Sequence, residues 1–444
     1  MRRLLGTLTG KAVAAAVRLR GRSAGQAMPG RVVERLVPGY LAAVLGQLPR
    51  GVVMITGTNG KTTTTKMVVE VLRANGLRVL TNATGSNMTR GIISSVSQQA
   101  TFTGRLPFDI AVFELDEAYA PQVAAAAPPT WVLGLNASRD QLDRFGEVDT
   151  VARLITSAMR AASTGVVVNG DDPRLLAGVV GAGLRVERFA VAPELLAYFP
   201  GDDELVRTGT GGTARTVPAT VTGEIEDDGV AAPAPPAVEL LGFEGDRARY
   251  RVGGQAVDAR LQVTGQHNFQ NGAAALALVH ALLPDVPVGT LVDQLAQVQP
   301  AFGRGQVYAL PGGGRVQLNL VKNPASFRQG LASYVRPGTT VVVAVNDLVA
   351  DGRDLSWLWD VDFSPLAGRE VAMTTGIRAV DMALRLRYDD VTVGRIEPDL
   401  AAAVQAIGRE PGETVVFSTY TAMLRLHGML SELAVDAKGA VSAR

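Results

Sequence analysis

Short apolar runs recur along the chain, each closed by a polar or glycine-bearing turn and most followed by apolar positions at helical spacing. The first run is Val52-Val53-Met54-Ile55, and Met67, Val68, Val71 and Leu72 supply the helical repeat behind it. Further strands are predicted at 77–81, 109–113, 131–135 and 166–168. Residues 31–48 read as one helix, stopped by Pro49-Arg50-Gly51. Such alternation predicts a mostly parallel sheet. The texture changes over about 191–254, where Gly/Thr-rich, acidic and Ala/Pro-rich pieces succeed one another. An inserted β-rich segment is predicted there, returning to the core through strands at 240–252 and 256–263. An alanine-rich helix begins after Gly265. Strands at 316–321, 339–345, 371–374, 390–393 and 414–418 then predict a second, smaller α/β unit of Rossmann-like type. The expected organisation is a basic helical segment over 1–48, an α/β middle domain over 49–304 and a smaller C-terminal α/β domain over 305–444. Residues 300–306 read as a hinge between the last two.

Composition narrows the function classes. A chain of 444 residues that is 47% hydrophobic has room for two or three cores. Its net charge of +1 gives no general argument for nucleic acid. Cysteine is absent, so disulfides, cysteine-ligated zinc and a cysteine nucleophile are excluded within this chain, and no zinc is expected. No apolar run approaches bilayer length. The N-terminus carries Arg2, Arg3, Lys11, Arg18, Arg20 and Arg22 between short apolar pieces, without the long apolar core of a signal peptide. It reads either as an ordinary basic surface helix or as an amphipathic helix lying on an anionic membrane.

The strongest chemical signal is Gly57-Thr58-Asn59-Gly60-Lys61-Thr62-Thr63, set between the first strand and its helix. Glycines let backbone N–H groups turn inward, and the helix N-terminus adds partial positive charge. Lys61 is placed for the outer phosphates of a nucleotide, and the Thr62 hydroxyl for a magnesium ion. The strand at 109–113 ends in Glu114-Leu115-Asp116-Glu117. Glu114 is the expected second magnesium ligand, whereas Asp116 and Glu117 are read as caps of the next helix. Asn268 and Asn271 share a face near the start of the alanine-rich helix, where carboxamides can bond a base or phosphate. His267 beside them reads as packed rather than catalytic. Arg304, between Gly303 and Gly305, is placed to swing a guanidinium onto phosphate or carboxylate.

Together these stretches resemble the Mur ligase superfamily, which includes the folylpolyglutamate synthases. The loop is similar to that family's shorter ATP loop, and Glu114 falls where the family has a magnesium-binding glutamate. Residues from Gly265-Gln266-His267-Asn268 through Asn271 to Ala274 match Gly-x-His-Asn-x-x-Asn-x-x-Ala. Phe302-Gly303-Arg304-Gly305 carries the ATP-contacting arginine. The finer resemblance is to the MurT family. It rests on Arg139-Asp140-Gln141-Leu142-Asp143, on Leu320-Val321-Lys322-Asn323-Pro324-Ala325, and on Ala350-Asp351-Gly352-Arg353-Asp354-Leu355-Ser356-Trp357. Asn319 stands in place of the ribose-contacting aspartate.

What the resemblance implies is an ATP- and Mg2+-dependent ligase subunit of peptidoglycan synthesis in the cytoplasm, with contact to the inner membrane face left as an alternative. It would amidate the α-carboxylate of D-glutamate in the lipid II stem through an acyl phosphate, with ammonia from a GatD-type glutaminase partner. Asp354 would complete the partner's Cys-His pair; its bland reading is a helix N-cap. Two departures stand: the middle segment lacks the four cysteines of a zinc ribbon, and Gln141 replaces a histidine of other Mur ligases. A ligase adding an amino acid, of poly-γ-glutamate or folylpolyglutamate type, and a non-catalytic ATP-dependent interaction module remain the alternatives.

Overall fold

The computed structural model describes residues 1–19, 27–82, 86–138, 147–199, 234–300, 303–311, 313–409 and 411–441, the side chains of Arg304 and residues 435–441 excepted. Two sheets organise these residues. The first has strand order β2-β3-β1-β4-β5-β6-β7-β8-β9, and the second β10-β11-β15-β12-β13-β14.

In the first sheet β1 (Val52–Thr56), β2 (Val79–Thr81), β3 (Ile110–Glu114), β4 (Trp131–Gly134), β5 (Gly165–Asn169) and β6 (Arg185–Val191) are parallel. β1 is buried throughout, as a strand covered on both faces must be. Val53, Ile55 and Leu133 pack with α4 (Lys61–Ala74), α9 (Gln266–Leu282) and α10 (Val288–Ala296). Met54 and Val132 point the other way, onto α2 (Met28–Leu36), α3 (Tyr40–Leu45), α5 (Thr89–Gln99), α6 (Ala120–Ala126) and α7 (Val148–Arg160). Strand β1 lies between β3 and β4, so the chain leaves it to opposite sides. That reversal opens a crevice at its carboxyl end, where α/β sheets bind ligands.

The segment after β6 departs from its expectation. Residues 200–233, most of the predicted insertion, lie outside the described residues. Beyond them an antiparallel meander, β7 (Val238–Glu244), β8 (Arg247–Val252) and β9 (Gln255–Arg260), extends the same sheet. The predicted strand at 240–252 is therefore two strands. Gly245, at φ +60°, sits in their turn. The meander has a use: the buried Tyr250 hydroxyl donates to the Phe269 carbonyl at 2.9 Å and braces the first turns of α9.

Two further corrections concern breaks and pairings. The single helix predicted at 31–48 is α2 and α3, separated by Pro38 and by Gly39 at φ +75°. Of residues 300–306, predicted as a hinge, 301 and 302 lie outside the described residues and 304–306 belong to a strand. Arg304 opens β10 (Arg304–Ala309), antiparallel to β11 (Arg315–Leu320), with Arg304 opposite Asn319. No strand was predicted there, because two glycines masked the short apolar alternation behind them.

In the second sheet β11, β12 (Thr340–Ala344), β13 (Glu370–Thr375), β14 (Thr392–Glu397) and β15 (Glu413–Ser418) run parallel. Valines of β12 alternate between two cores. One is closed by α13 (Leu400–Ile407) and α14 (Tyr420–Val441), the other by α11 (Pro324–Tyr334) and α12 (Ala379–Tyr388). Helix α8 (Pro173–Val179) comes after β5, and α1 (Arg2–Leu19) packs on α2, α3 and α5. The two sheets meet through Tyr334, whose hydroxyl donates to the Thr264 carbonyl at 3.2 Å, and through Asn323.

Candidate nucleotide site

The loop from Gly57 to Gly60 leaves β1 and enters α4. Gly57 and Gly60 have φ of +139° and +87°, conformations that suit glycine. A Cβ on Gly60 would lie 2.3 Å from Asn271 Oδ1, so the loop needs glycine twice over, for conformation and for space. The exit of β4 grips this loop. The Thr58 N–H donates to the Asn136 carbonyl and the Asn59 N–H to Asn136 Oδ1, both at 2.9 Å. Asn136 Nδ2 returns a bond to the Asn59 carbonyl at 3.1 Å, and the Ser138 N–H reaches Thr58 Oγ1 at 3.0 Å.

Thr62 and Glu114 are brought together: the Thr62 hydroxyl donates to Glu114 Oε1 at 2.9 Å. Glu114 is fixed by a reciprocal pair, its N–H to Asn82 Oδ1 and Asn82 Nδ2 to its carbonyl, each at 3.0 Å. A hydroxyl and a carboxylate are the hard oxygen donors that magnesium takes, and these two fit that ion.

Lys61 is buried and donates to Glu117 Oε2 at 2.9 Å, besides the carbonyls of Gly57 and Thr58. Glu117 is thus no helix cap. Asp116 makes the local turn instead, its Oδ1 accepting from the Ala118 N–H at 3.1 Å. Burial pushes the Glu117 carboxyl up. The charges of Lys61 and Lys322 and the bond from Lys61 outweigh it and hold the group below the usual glutamate range. Lys322 comes from the second sheet, just past β11, so this buried carboxylate faces a cation from each side of the cleft.

The remaining residues close the cleft. Asn271 lies against Gly60, while Asn268 supports it: Asn271 Nδ2 donates to Asn268 Oδ1 at 3.2 Å, and Asn268 Nδ2 to the Thr264 carbonyl at 2.8 Å. Asn319 lines the same cleft beside Asn59, Gly60, Thr63 and Asn271. It is 4% exposed and its Nδ2 has no hydrogen-bond partner, an orphan donor that a nucleotide's ribose or phosphate oxygens would satisfy. His267 packs edge-on to Tyr334. Arg304 enters only through its backbone, since its side chain is outside the described residues, as is the whole stretch 139–146 with Gln141.

Asn323 was missed as a cleft residue. It caps α11 in a capping box with Ser326, and its Nδ2 reaches Asn59 Oδ1 across the cleft at 3.1 Å. The Asn-Pro pair before a helix was the signal for the cap. Nothing in the sequence pointed to its second bond, nor to Asn136 or Glu117 as partners of the loop.

Asp354 stands apart, exposed on the loop after β12, with Oδ1 accepting from the Ser356 N–H at 2.8 Å. Asp351, three residues before it, is structural: its carboxylate holds the Thr421 N–H and hydroxyl and the Leu348 N–H. Asp347 binds Arg378 at the start of α12, and Trp359 packs on Tyr388 at its end, so this loop runs alongside that helix. Val380, Leu384 and Tyr388 line up on α12 at four-residue spacing, and all are exposed, with Val349 and Trp359 exposed on the loop. An apolar strip thus borders the loop that carries Asp354.

Two family models match the chain, the Mur ligase middle domain over residues 55–222 and the MurT ligase C-terminal domain over 320–423. The lipid II isoglutaminyl synthase (glutamine-hydrolyzing) subunit MurT of Staphylococcus aureus is 27% identical over 90% of this chain and 91% of that protein. The subunit of the same name from Streptococcus pneumoniae is 28% identical over 96% of each. Among solved structures, MurF of Acinetobacter baumannii superposes with a TM-score of 0.65 at 19% identity, over 90% of this chain and 80% of that one. MurF ligase of Thermotoga maritima in complex with ADP gives 0.64 at 16%, over 89% and 83%. Escherichia coli FolC, in complex with DHPP and ADP, gives 0.60 at 15%, over 89% and 92%. These structural likenesses establish the fold.

Proposed function

Because this chain is a MurT-type member of the Mur ligase superfamily, we propose that it amidates a lipid-linked peptidoglycan precursor with ATP. The acceptor in this reading is the α-carboxylate of D-glutamate in the lipid II stem. The γ-phosphoryl group of ATP passes to a carboxylate oxygen, giving an acyl phosphate and ADP. Ammonia then attacks the acyl carbon, phosphate leaves with that oxygen, and a proton is lost to give D-isoglutamine.

In this scheme the chain's residues position and stabilise charge. The backbone of 57–60 cradles phosphates, and Lys61 and the α4 N-terminus face the charge that develops on the transferring group. Thr62 and Glu114 would hold magnesium, which supplies charge neutralisation at the phosphate oxygens. Asn319 and Asn271 take the nucleoside side, and Arg304 belongs to the same set by its place in the motif. The functional parts are taken as 1–48, 49–304 and 305–444.

The carrying observation is the separation of two features. A buried cation–carboxylate cluster sits in the cleft, and an exposed carboxylate, Asp354, sits on a loop that runs along an apolar strip of the other unit. The chain has no cysteine, so glutamine hydrolysis through a thioester falls to another subunit, a GatD-type glutaminase. Asp354 is offered to that subunit's histidine. One carboxylate oxygen holds the Ser356 N–H, and the second suffices for an imidazole. The MurT-type C-terminal domain favours amidation over addition of an amino acid, although FolC shares the fold. Among the described residues no helix is long and apolar enough to cross a membrane.

The test is mass spectrometry of lipid II incubated with the chain, magnesium, ATP and ammonium, with and without a GatD-type subunit and glutamine. Conversion of the D-glutamate carboxylate to an amide is expected. ATP turnover without amidation would point to another acceptor. ATP binding without turnover under either nitrogen source would favour an interaction module.

A further inference from the structure

Helix α1 is apolar on the wrong side for a helix that merely covers a core. Its inward face is made of small residues: Gly6, Thr7, Gly10 and Ala14 are buried. A Cβ on Gly6 would come within 2.2 Å of the Tyr40 ring, and one on Gly10 within 2.4 Å of Ser97 Oγ. The Thr7 hydroxyl bonds the Tyr40 hydroxyl at 2.9 Å. These contacts lock the rotation of the helix, because no larger face fits against α3 and α5. The opposite face is therefore turned outward, and it carries Met1, Leu4, Leu5, Leu8, Ala12 and Leu19, all exposed. Their spacing makes one continuous stripe along the helix.

Charge says what the stripe meets. The first 22 residues hold six basic side chains and no acidic one, in a chain of net charge +1. Arg2 and Arg3 are exposed at the start of the stripe. Lys11 and Arg18 flank it, both anchored on Gln98. A leucine stripe edged by cations, on a helix of 18 residues too polar to span a bilayer, has the pattern of a helix lying in a lipid–water interface.

We propose that the outward face of α1 docks on the surface of an anionic phospholipid bilayer. The leucines enter the headgroup–acyl boundary and the arginines meet lipid phosphates. Docking names the surface at which the proposed lipid-linked substrate is met, but the binding itself needs neither ATP nor that substrate.

Co-sedimentation of the full chain with phosphatidylcholine vesicles, with and without phosphatidylglycerol, tests this. Binding is expected only to the anionic vesicles and should weaken with salt. Leu4→Ser and Leu8→Ser are each expected to lower the partition coefficient about fivefold. The double variant Arg2→Gln/Arg3→Gln should lower it further than either, at about fivefold per charge. Unchanged melting temperatures would show that the fold is intact. Equal binding to neutral vesicles, binding indifferent to these substitutions, or no binding would overturn the proposal. So would protection of the stripe by a second protein subunit in place of vesicles. The vesicles contain no lipid II, so failure here leaves the amidation reading standing, and failure to amidate leaves this one.

Discussion

Replacing Glu117 by Gln should separate the nucleotide-free form from the nucleotide-bound one. Lys61 and Glu117 form a buried pair, with side chains 9% and 3% exposed. Removing one partner of such a pair costs about 3–5 kcal/mol, because the other charge stays buried without compensation. Lys61 keeps the carbonyls of Gly57 and Thr58, so the lower figure, about 3 kcal/mol, applies to the free protein. The phosphates of a bound nucleotide supply the missing negative charge. The penalty then falls on the free form alone, and linkage turns it into tighter ATP binding, up to about 100-fold. Differential scanning fluorimetry and titration calorimetry, with and without ATP and magnesium, read both sides. The free variant should melt well below wild type, the loaded variant close to it, and its Kd for ATP should fall. A pH series adds a sign. Glu117 is depressed in the fold, so its contribution is present above the ordinary glutamate range and is lost as pH falls through the depressed value; the Gln variant lacks that acid limb. Weaker ATP binding in step with lower stability would refute the reasoning, since it would mean that Glu117 is needed while Lys61 holds phosphate.

Asp354→Asn should cut glutamine-driven amidation by roughly 100-fold or more and leave ammonia-driven amidation near wild type, because under the proposed division of labour only a partner's histidine would lose its carboxylate; equal loss with both nitrogen sources would return Asp354 to a cap. Gly60→Ala should abolish ATP binding and lower the melting temperature, since a Cβ meets Asn271 Oδ1 at φ +87°; an unchanged Kd would contradict the loop geometry. Burial raises the Asp171 carboxyl to about 6, against the bond it accepts from the Val191 N–H. Its ionisation costs the fold nothing below the usual aspartate range, increasingly up to about pH 6, and fully above it. Asp171→Asn should accordingly gain stability over wild type above about pH 6 and lose that gain in acid, as urea titrations at several pH values would read.

The fold was legible where the chain repeats itself. Strands β1, β3, β4, β12 and β15 are buried on both faces over most of their length and read as short, largely apolar runs, so their positions come from composition over a few residues. The loop at 57–63 was legible for the same local reason: two glycines, a lysine and threonines are consecutive. What the sequence hid is non-local. Glu117 lies 56 positions from Lys61, and Asn136 lies 77 from Asn59. Only the parallel pairing of β1 with β3 and β4 brings them together. Asn323 is 264 positions from Asn59, and its reach depends on how the two sheets face each other. Strand β10 escaped because Gly303 and Gly305 suggested freedom, whereas its order comes from pairing with β11. The outward turn of α1 was likewise undecided from sequence. Glycine spacing shows a close approach somewhere, but only Tyr40 and Ser97 fix which face is inside.

The central claim is that this chain activates a carboxylate by phosphorylation before nitrogen arrives. Lipid II carrying oxygen-18 in the D-glutamate α-carboxylate tests it most directly, with ATP, magnesium and ammonium and analysis of the phosphate released. An acyl phosphate requires a labelled oxygen to leave with phosphate as the amide forms, and that transfer is the expected result. Amide formation with unlabelled phosphate would contradict it.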